Sequence, residues 1–206
     1  MASDAARDHS VFVSAATAFA DLVALIPAPA WDGPGLGDWD LRALVGHTSR
    51  SLITVSSYLR TPVDREDVTG PAHYYALMRA YAANSPDIVE RGREAGRNLG
   101  ADPAAKVADL LRQVLADLDG AGDPLIAVIG GLGIRLSNYL PTRVFELTVH
   151  GLDIVRATGI DFTLPDGALR DATVLAAQIA ALTGQAAAVL PALTGRGGLP
   201  AGFSVV

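Results

Sequence analysis

The longest helical pattern in the chain is residues 136–158, LSNYLPTRVFELTVHGLDIVRAT. Apolar residues surround most of this segment, which is typical of a helix at the centre of an all-α protein. Gly159 predicts a left-handed cap at its end. Pro141 predicts an interruption near its start, because proline lacks the amide hydrogen that a helix interior needs. The segment therefore predicts a central helix against which other elements pack.

Further helical patterns lie on both sides of this segment. We expect Ser10 to cap the first helix and Asp38 or Asp40 to cap the second, since such side chains accept hydrogen bonds from free amides at helix N-termini. Residues 125–134 fit either a buried helical turn or a strand and stay unassigned. The expected helices cover residues 11–26, about 40 to before Pro62, 71–99 with a break at Pro86, 103–118 and 166–182.

The order of these elements favours an all-α fold. Strands and helices do not alternate and no internal repeat is present, so we expect an antiparallel helical bundle. We expect a single domain over residues 1–206, in which residues from about 166 to 206 form a C-terminal helix and a tail. The tail is a candidate for one short strand.

The composition disfavours several classes of function. Of the 206 residues, 50% are hydrophobic and none is cysteine, so the chain can bury a large core but cannot form a disulfide or a thiolate metal site. A net charge of −6 disfavours nucleic-acid binding. We find no pattern of a signal peptide or a membrane span, and we therefore expect a cytoplasmic protein without a membrane partner.

Four ionisable residues share one side of the central helix. Glu146 and His150 are four positions apart and therefore lie on one helix face. Arg143 and Asp153 lie three positions before and after this pair and extend the same stripe. One interpretation is an ordinary ion pair on a solvent-exposed face. The other is a metal site, which needs a further ligand from a facing helix.

The candidate for that further ligand is His47, at the edge of the apolar stripe of the second expected helix. His9 and His73 lack a carboxylate at helical spacing on an apolar helix, and we interpret them as surface residues. Two imidazoles and one carboxylate suit Zn²⁺, Ni²⁺ or Fe²⁺ and leave an open coordination position. Such a metal lowers the pKa of a bound thiol or water, and Asp153 or a neighbouring backbone carbonyl would orient an imidazole.

Two segments resemble the metal-binding segments of a known family. DWDLRALVGH, residues 38–47, resembles its Trp-x-x-x-x-Leu-x-x-His segment, and FELTVHGLD, residues 145–153, resembles its Glu-Leu-x-x-His-x-x-Asp segment. The family is the DinB-like, mycothiol-dependent maleylpyruvate isomerase family. Residues 193–196, LTGR, and 202–204, GFS, resemble the ends of its actinobacterial members.

This resemblance implies a four-helix bundle, here with an extra C-terminal helix, in which His47, Glu146 and His150 bind a divalent metal. Zinc is expected first, with nickel or iron as alternatives. The resemblance also implies a low-molecular-weight thiol such as mycothiol as co-substrate, a small electrophile as substrate, and a homodimer.

Residues for substrate contact are predicted as well, with ordinary packing or salt bridges as the alternative role of the first three. Arg143, Trp39 and Tyr58 are the candidate contacts, and Arg196 is the candidate for the C-terminal arginine that the isomerase reaction uses. The leading hypothesis is a metal-dependent thiol transferase or isomerase. A metal-assisted hydrolase with Asp153 as its base and a non-catalytic metal-binding bundle are the alternatives.

Overall fold

The computed structural model describes residues 2–82 and 88–206 and is mostly helical, as the sequence predicts. None of the helices in these two ranges is both long and apolar enough to span a membrane. Two short strands, β1 (Leu125–Ala127) and β2 (Gly133–Arg135), form an antiparallel hairpin. The helices are α1 (Ala2–Ala24), α2 (Leu41–Tyr58), α3 (Pro71–Ala82), α4 (Ile88–Arg97), α5 (Pro103–Leu118), α6 (Leu136–Thr158), α7 (Asp166–Leu182) and α8 (Ala186–Leu193).

Local sequence signals account for several helix ends. Asp40, one of the two expected caps, accepts a 2.7 Å hydrogen bond from the Ala43 amide at the start of α2. Asp102 accepts a 3.0 Å hydrogen bond from the Ala105 amide at the start of α5. The central helix α6 ends at Gly159, where φ is +67°. These ends and the extent of α7 agree with the sequence pattern.

Three other predictions from the sequence are wrong, and a fourth is not tested by the structure. α1 begins before Ser10, whose hydroxyl donates to the Arg7 carbonyl oxygen inside the helix instead of capping it. α6 continues through Pro141, because its packing against α1 and α2 offsets one lost amide hydrogen bond. The tail forms α8 in place of a strand, since an alanine-rich run favours a helix, and residues 194–206 form no strand. The break expected at Pro86 lies outside the described residues.

The segment without a sequence assignment, residues 125–134, forms the β-hairpin. Ile126 of β1 lies opposite Ile134 of β2. Gly130 makes part of the turn with a φ of +76°, a conformation that favours glycine. Gly133 has no room for a side chain, because a Cβ there would lie 1.8 Å from the Arg65 carbonyl oxygen. The hairpin is therefore held closely against the loop between α2 and α3.

Four helices supply most of the hydrophobic core. α6 packs against α1 and α2, and α5 packs against the same two helices, so these contacts form a ring in the order α1, α6, α2, α5. α7 packs on α6, and α3 packs on α7 and α6. The fully buried side chains of the ring include Phe12 and Phe19 of α1, Leu44 and Leu52 of α2, Val107 and Val114 of α5, and Leu147 and Ile154 of α6.

α4 lies against α2 at backbone distance. A Cβ on Gly46 of α2 would lie 2.3 Å from the Gly96 nitrogen of α4, and a Cβ on Gly96 would lie 2.9 Å from the Ala43 Cα. Only glycine at these two positions lets the helices approach so closely. The contact places α4 beside the part of α2 that carries His47.

Candidate metal centre

α2 and α6 bring the three predicted ligands together. His47 comes from α2, whereas Glu146 and His150 come from successive turns of α6. One nitrogen or oxygen atom of each side chain lies within 4.8 Å of the other two. The imidazole rings of His47 and His150 meet edge to face with their centroids 5.1 Å apart. Two imidazoles and one carboxylate at this separation fit a divalent transition metal and leave coordination positions free.

His150 lies between two carboxylates. Its Nε2 is 3.4 Å from Glu146 Oε2, and its Nδ1 is 3.3 Å from Asp153 Oδ2. Asp153 therefore occupies the position expected of a residue that orients an imidazole and leaves Nε2 for the site. Burial would lower the pKa of His150, but its hydrogen bonds to Asp153 and Glu146 raise that pKa to about 9. The metal-free protein thus holds a proton where a cation would bind.

Glu146 is ionised and fixed at one oxygen. Burial would raise the pKa of Glu146, but its hydrogen bond with His150 and the charge of Arg143 lower that pKa to about 2. The hydroxyl of Tyr75, on α3, lies 2.6 Å from Glu146 Oε1, to which it donates. Oε2, the atom nearest to His150, remains on the side of the other two ligands.

His47 is neutral and held by an aromatic neighbour. Burial, and then the charge of His150, lower the pKa of His47 to about 4, so the imidazole is in the state that binds metals. The ring of Trp39 lies against it with centroids 4.6 Å apart. Trp39 Nε1 donates a 2.9 Å hydrogen bond to the Val89 carbonyl oxygen of α4. Gly92 makes room for this ring, since a Cβ there would lie 2.4 Å from it.

A cavity of about 260 Å³, here called the site cavity, lies beside the predicted ligands. It gives a small molecule room next to the free coordination positions of a metal. Two of the ligands, His47 and Glu146, form part of its wall. The remaining lining residues are Arg50, Ser51, Tyr74, Tyr75, Met78, Arg91, Ile129 and Arg143.

The structure places the four predicted substrate contacts in different surroundings. Arg143 lines the site cavity and is only 9% exposed. Trp39 packs on His47 and is not among the cavity-lining residues. Tyr58 packs against another tyrosine ring, with centroids 5.6 Å apart, outside the cavity lining. Arg196 follows α8, is exposed and donates to a neighbouring carbonyl oxygen.

Several residues of the site were not predicted from the sequence. Arg50 follows His47 by three positions on α2, and this spacing is a signal that was available. Tyr75 and Arg91 come from α3 and α4, and no spacing relates them to the ligands. His9 lines a separate cavity, and His73 accepts a local hydrogen bond from the Thr69 amide. Both are partly buried, and neither belongs to the group of three predicted ligands.

Comparison with known families matches residues 12–155 to the mycothiol maleylpyruvate isomerase N-terminal domain. This range is more than half of the chain and contains all three predicted ligands and every residue that lines the site cavity. Comparisons with curated proteins and with solved structures found no match.

Proposed function

The chain belongs to the mycothiol maleylpyruvate isomerase N-terminal domain family, and we propose that it is a divalent-metal-dependent thiol S-transferase or isomerase. Its co-substrate would be mycothiol or a similar thiol, and its substrate a small electrophile. The observation that carries the proposal is the convergence of His47, Glu146 and His150 beside an open cavity. Zinc suits this donor set first, with nickel or iron as alternatives. A bound divalent cation would lower the pKa of a thiol and favour the thiolate.

Each proposed ligand is oriented by a second residue. Asp153 holds Nδ1 of His150, Tyr75 holds one oxygen of Glu146, and Trp39 packs on the ring of His47. Such partners fix ligand geometry and raise metal affinity. The chain therefore keeps its three donor atoms close together without rearrangement of a loop, which favours a site that is formed before the metal arrives.

The walls of the site cavity suit a reaction of a thiol. Tyr74, Met78 and Ile129 contribute apolar surface beside the ligands. Apolar walls exclude water, which competes with a thiol for an electrophile. The cavity of about 260 Å³ has room for a small electrophile beside the proposed ligands.

The two alternative functions have less support. A hydrolase needs a carboxylate base, but Asp153 is held between His150 and Arg156, and within the described ranges Glu146 is the only carboxylate that lines the cavity. A purely structural metal site is normally closed by four protein ligands. The three ligands here adjoin an open cavity, which favours catalysis.

The finer features of the fold and assembly are also proposals. We infer that α1, α2, α5 and α6 form a DinB-like four-helix bundle to which α7 and α8 are added, and the ring of contacts among the first four helices supports this. A single domain over residues 1–206 and a cytoplasmic location are proposed from the sequence pattern, and a homodimer is proposed from the family resemblance.

Metal content tests the first part of the proposal. The protein is purified without a chelator or a histidine tag, and its metals are measured by elemental analysis in the wild type, His47→Ala, Glu146→Ala and the control His73→Ala. We expect about one zinc per chain in the wild type and the control, and loss of zinc in the two ligand variants. A wild type that binds no metal after reconstitution would refute the proposal.

Thiol dependence tests the second part. Zinc-loaded protein is incubated with mycothiol and a chromogenic electrophile such as 1-chloro-2,4-dinitrobenzene, and conjugate formation is followed. We expect turnover that needs both the thiol and His150, so His150→Ala should lose it while His73→Ala retains it. Turnover of the substrate without any thiol would contradict a transferase and favour the hydrolase.

A further inference from the structure

A second cavity, of about 350 Å³ and here called the tail cavity, lies between α6, α7 and residues 203–206. Its α6 wall includes Phe145, Val149 and Leu152. Each of these directly precedes a member of the stripe of ionisable residues that carries two of the predicted metal ligands. Successive residues of an α-helix are turned by about 100°, so the tail cavity lies on a different face of α6 from those ligands.

The side chains around the tail cavity offer no free hydrogen-bond donor. None of the described lining side chains is ionisable. Thr148 and Thr173 donate to the carbonyl oxygens four positions earlier in their own helices, at 2.7 and 2.8 Å, and Ser204 donates to the Val206 carbonyl oxygen at 2.6 Å. A charged ligand would therefore lose its hydration in this cavity without gaining a side-chain partner.

Apolar side chains of the tail cavity are in contact with water. Leu152 is 45% exposed and Val206 is 52% exposed, and the ring of Phe203 is half-buried. A ligand made of hydrocarbon would cover this surface, which is favourable because it removes apolar surface from water. The chemistry of the walls thus selects for an uncharged apolar molecule.

Residues 203–206 form a wall that can move. The Gln185 side chain donates a 3.1 Å hydrogen bond to the Ser204 carbonyl oxygen. Among the described residues, this is the only hydrogen bond that joins residues 197–206 to an earlier part of the chain. A segment with so few polar contacts opens at low cost in free energy, so a molecule can enter without separation of α6 from α7.

We propose that the tail cavity is a second small-molecule site, which binds an uncharged aromatic or aliphatic compound. Its volume of about 350 Å³ is sufficient, since an apolar cavity of about 150 Å³ binds benzene. Walls on three sides, from α6, α7 and residues 203–206, suit a small molecule better than the broad surface of a second copy of the chain. Because α7 and residues 203–206 lie outside the matched range 12–155, the family domain alone does not form this cavity.

Methyl NMR of the metal-free chain, titrated with toluene, tests the site without metal, thiol or turnover. We expect saturable shifts at the methyl groups of Val149, Leu152 and Leu169, and none at Met78 and Ile129 of the site cavity. Benzoate, which carries a charge on the same ring, should bind at the first three positions at least about tenfold more weakly. Shifts confined to the site cavity, no saturable shift, or equal affinities for the two compounds would overturn the proposal.

Variants assign the binding to the tail cavity. Ala176→Leu extends a half-buried lining residue of α7 into the cavity and is expected to weaken toluene binding about tenfold or more. The matched control is Ala181→Leu, an exposed position of the same helix that does not line the cavity and should leave toluene binding unchanged. If Ala176→Leu fails to fold, Phe203→Ala, which removes part of the tail wall, should also weaken binding. Unchanged affinity in the folded lining variants, or an equal loss in Ala181→Leu, would contradict the assignment.

The competing occupant is a second copy of this chain, and the same spectra distinguish it. If a second copy covers the tail cavity, the shifts of Val149, Leu152 and Leu169 follow protein concentration, and sedimentation shows a dimer that Ala176→Leu weakens. That result would overturn the small-molecule site. Shifts that follow toluene at a constant protein concentration, with an unchanged sedimentation coefficient, would support it.

Discussion

Without metal, the stability of the fold is expected to decrease as the pH rises above neutrality, because His150 loses a proton that the folded state holds. The pKa of His150 is raised from 6.5 to about 9 in the folded protein. A group with a raised pKa stabilises the fold fully below its unfolded pKa, and this contribution is lost as the pH rises through the folded pKa. The gap between 6.5 and about 9 corresponds to about 3 kcal/mol of unfolding free energy.

Three other groups of the site have shifted pKa values, but they do not change the unfolding free energy between about pH 7.5 and 9.5. Glu146, with a pKa of about 2, and His47, with a pKa of about 4, affect stability only at lower pH. Burial, and then the charge of Glu146, raise the pKa of Tyr75 well above its ordinary value of 10. In this range His150 therefore accounts for a loss of about 2 kcal/mol.

Urea denaturation in the presence of a chelator, at several pH values in this range, measures the loss. His150→Gln should remove most of the pH dependence, and Asp153→Asn should reduce it, because the carboxylate that raises the pKa of His150 is gone. The control His73→Gln should keep the slope of the wild type. A wild-type stability that does not change over this range, or an unchanged slope in His150→Gln, would refute the reasoning.

Three further perturbations test the support of the site and the packing of α4. Tyr75→Phe removes the hydrogen bond to Glu146 and is expected to weaken zinc binding about tenfold in competition with a chelating dye, with the stoichiometry unchanged. Asp153→Asn is expected to weaken zinc binding about 10–100-fold in the same assay, whereas wild-type affinity would mean that His150 needs no partner. Gly96→Ala is expected to lower the unfolding free energy by about 1–3 kcal/mol, because its Cβ would lie 2.9 Å from the backbone of α2. In α7, Gly167→Ala, whose Cβ would meet nothing within 4 Å, should instead raise it by about 0.5–1 kcal/mol, and equal effects of the two alanines would contradict the packing argument.

The sequence predicts those parts of the site that follow from the geometry of a single helix. Glu146, His150 and Asp153 share a face of α6 because helical periodicity places them there, and their contacts at 3.3–3.4 Å agree. The approach of His47 depends on how α2 packs against α6, which periodicity does not specify. The sequence makes His47 a candidate by its place at the edge of the apolar stripe of its helix, and the family resemblance strengthens that choice.

The sequence does not predict the contacts between distant segments. Tyr75 and Arg91 reach the site because α3 packs on α6 and α4 packs on α2, and nothing in their local sequence indicates either contact. The hairpin at residues 125–134 was ambiguous, because a short apolar run with glycines lacks a period long enough to identify. Pro141 predicts a break that does not occur, because tertiary packing outweighs a single missing hydrogen bond in α6.

The three proposed ligands and the rest of the cavity wall come largely from different parts of the chain. The ligands are confined to α2 and α6, whereas Tyr74, Met78, Arg91 and Ile129 belong to α3, α4 and the hairpin turn. Substitutions in the second group reshape the pocket without altering a donor atom. Selection can therefore change which compound is accepted while the three proposed ligands stay the same. Proteins that descend from one such ancestor are expected to diverge in substrate specificity before they diverge in reaction type.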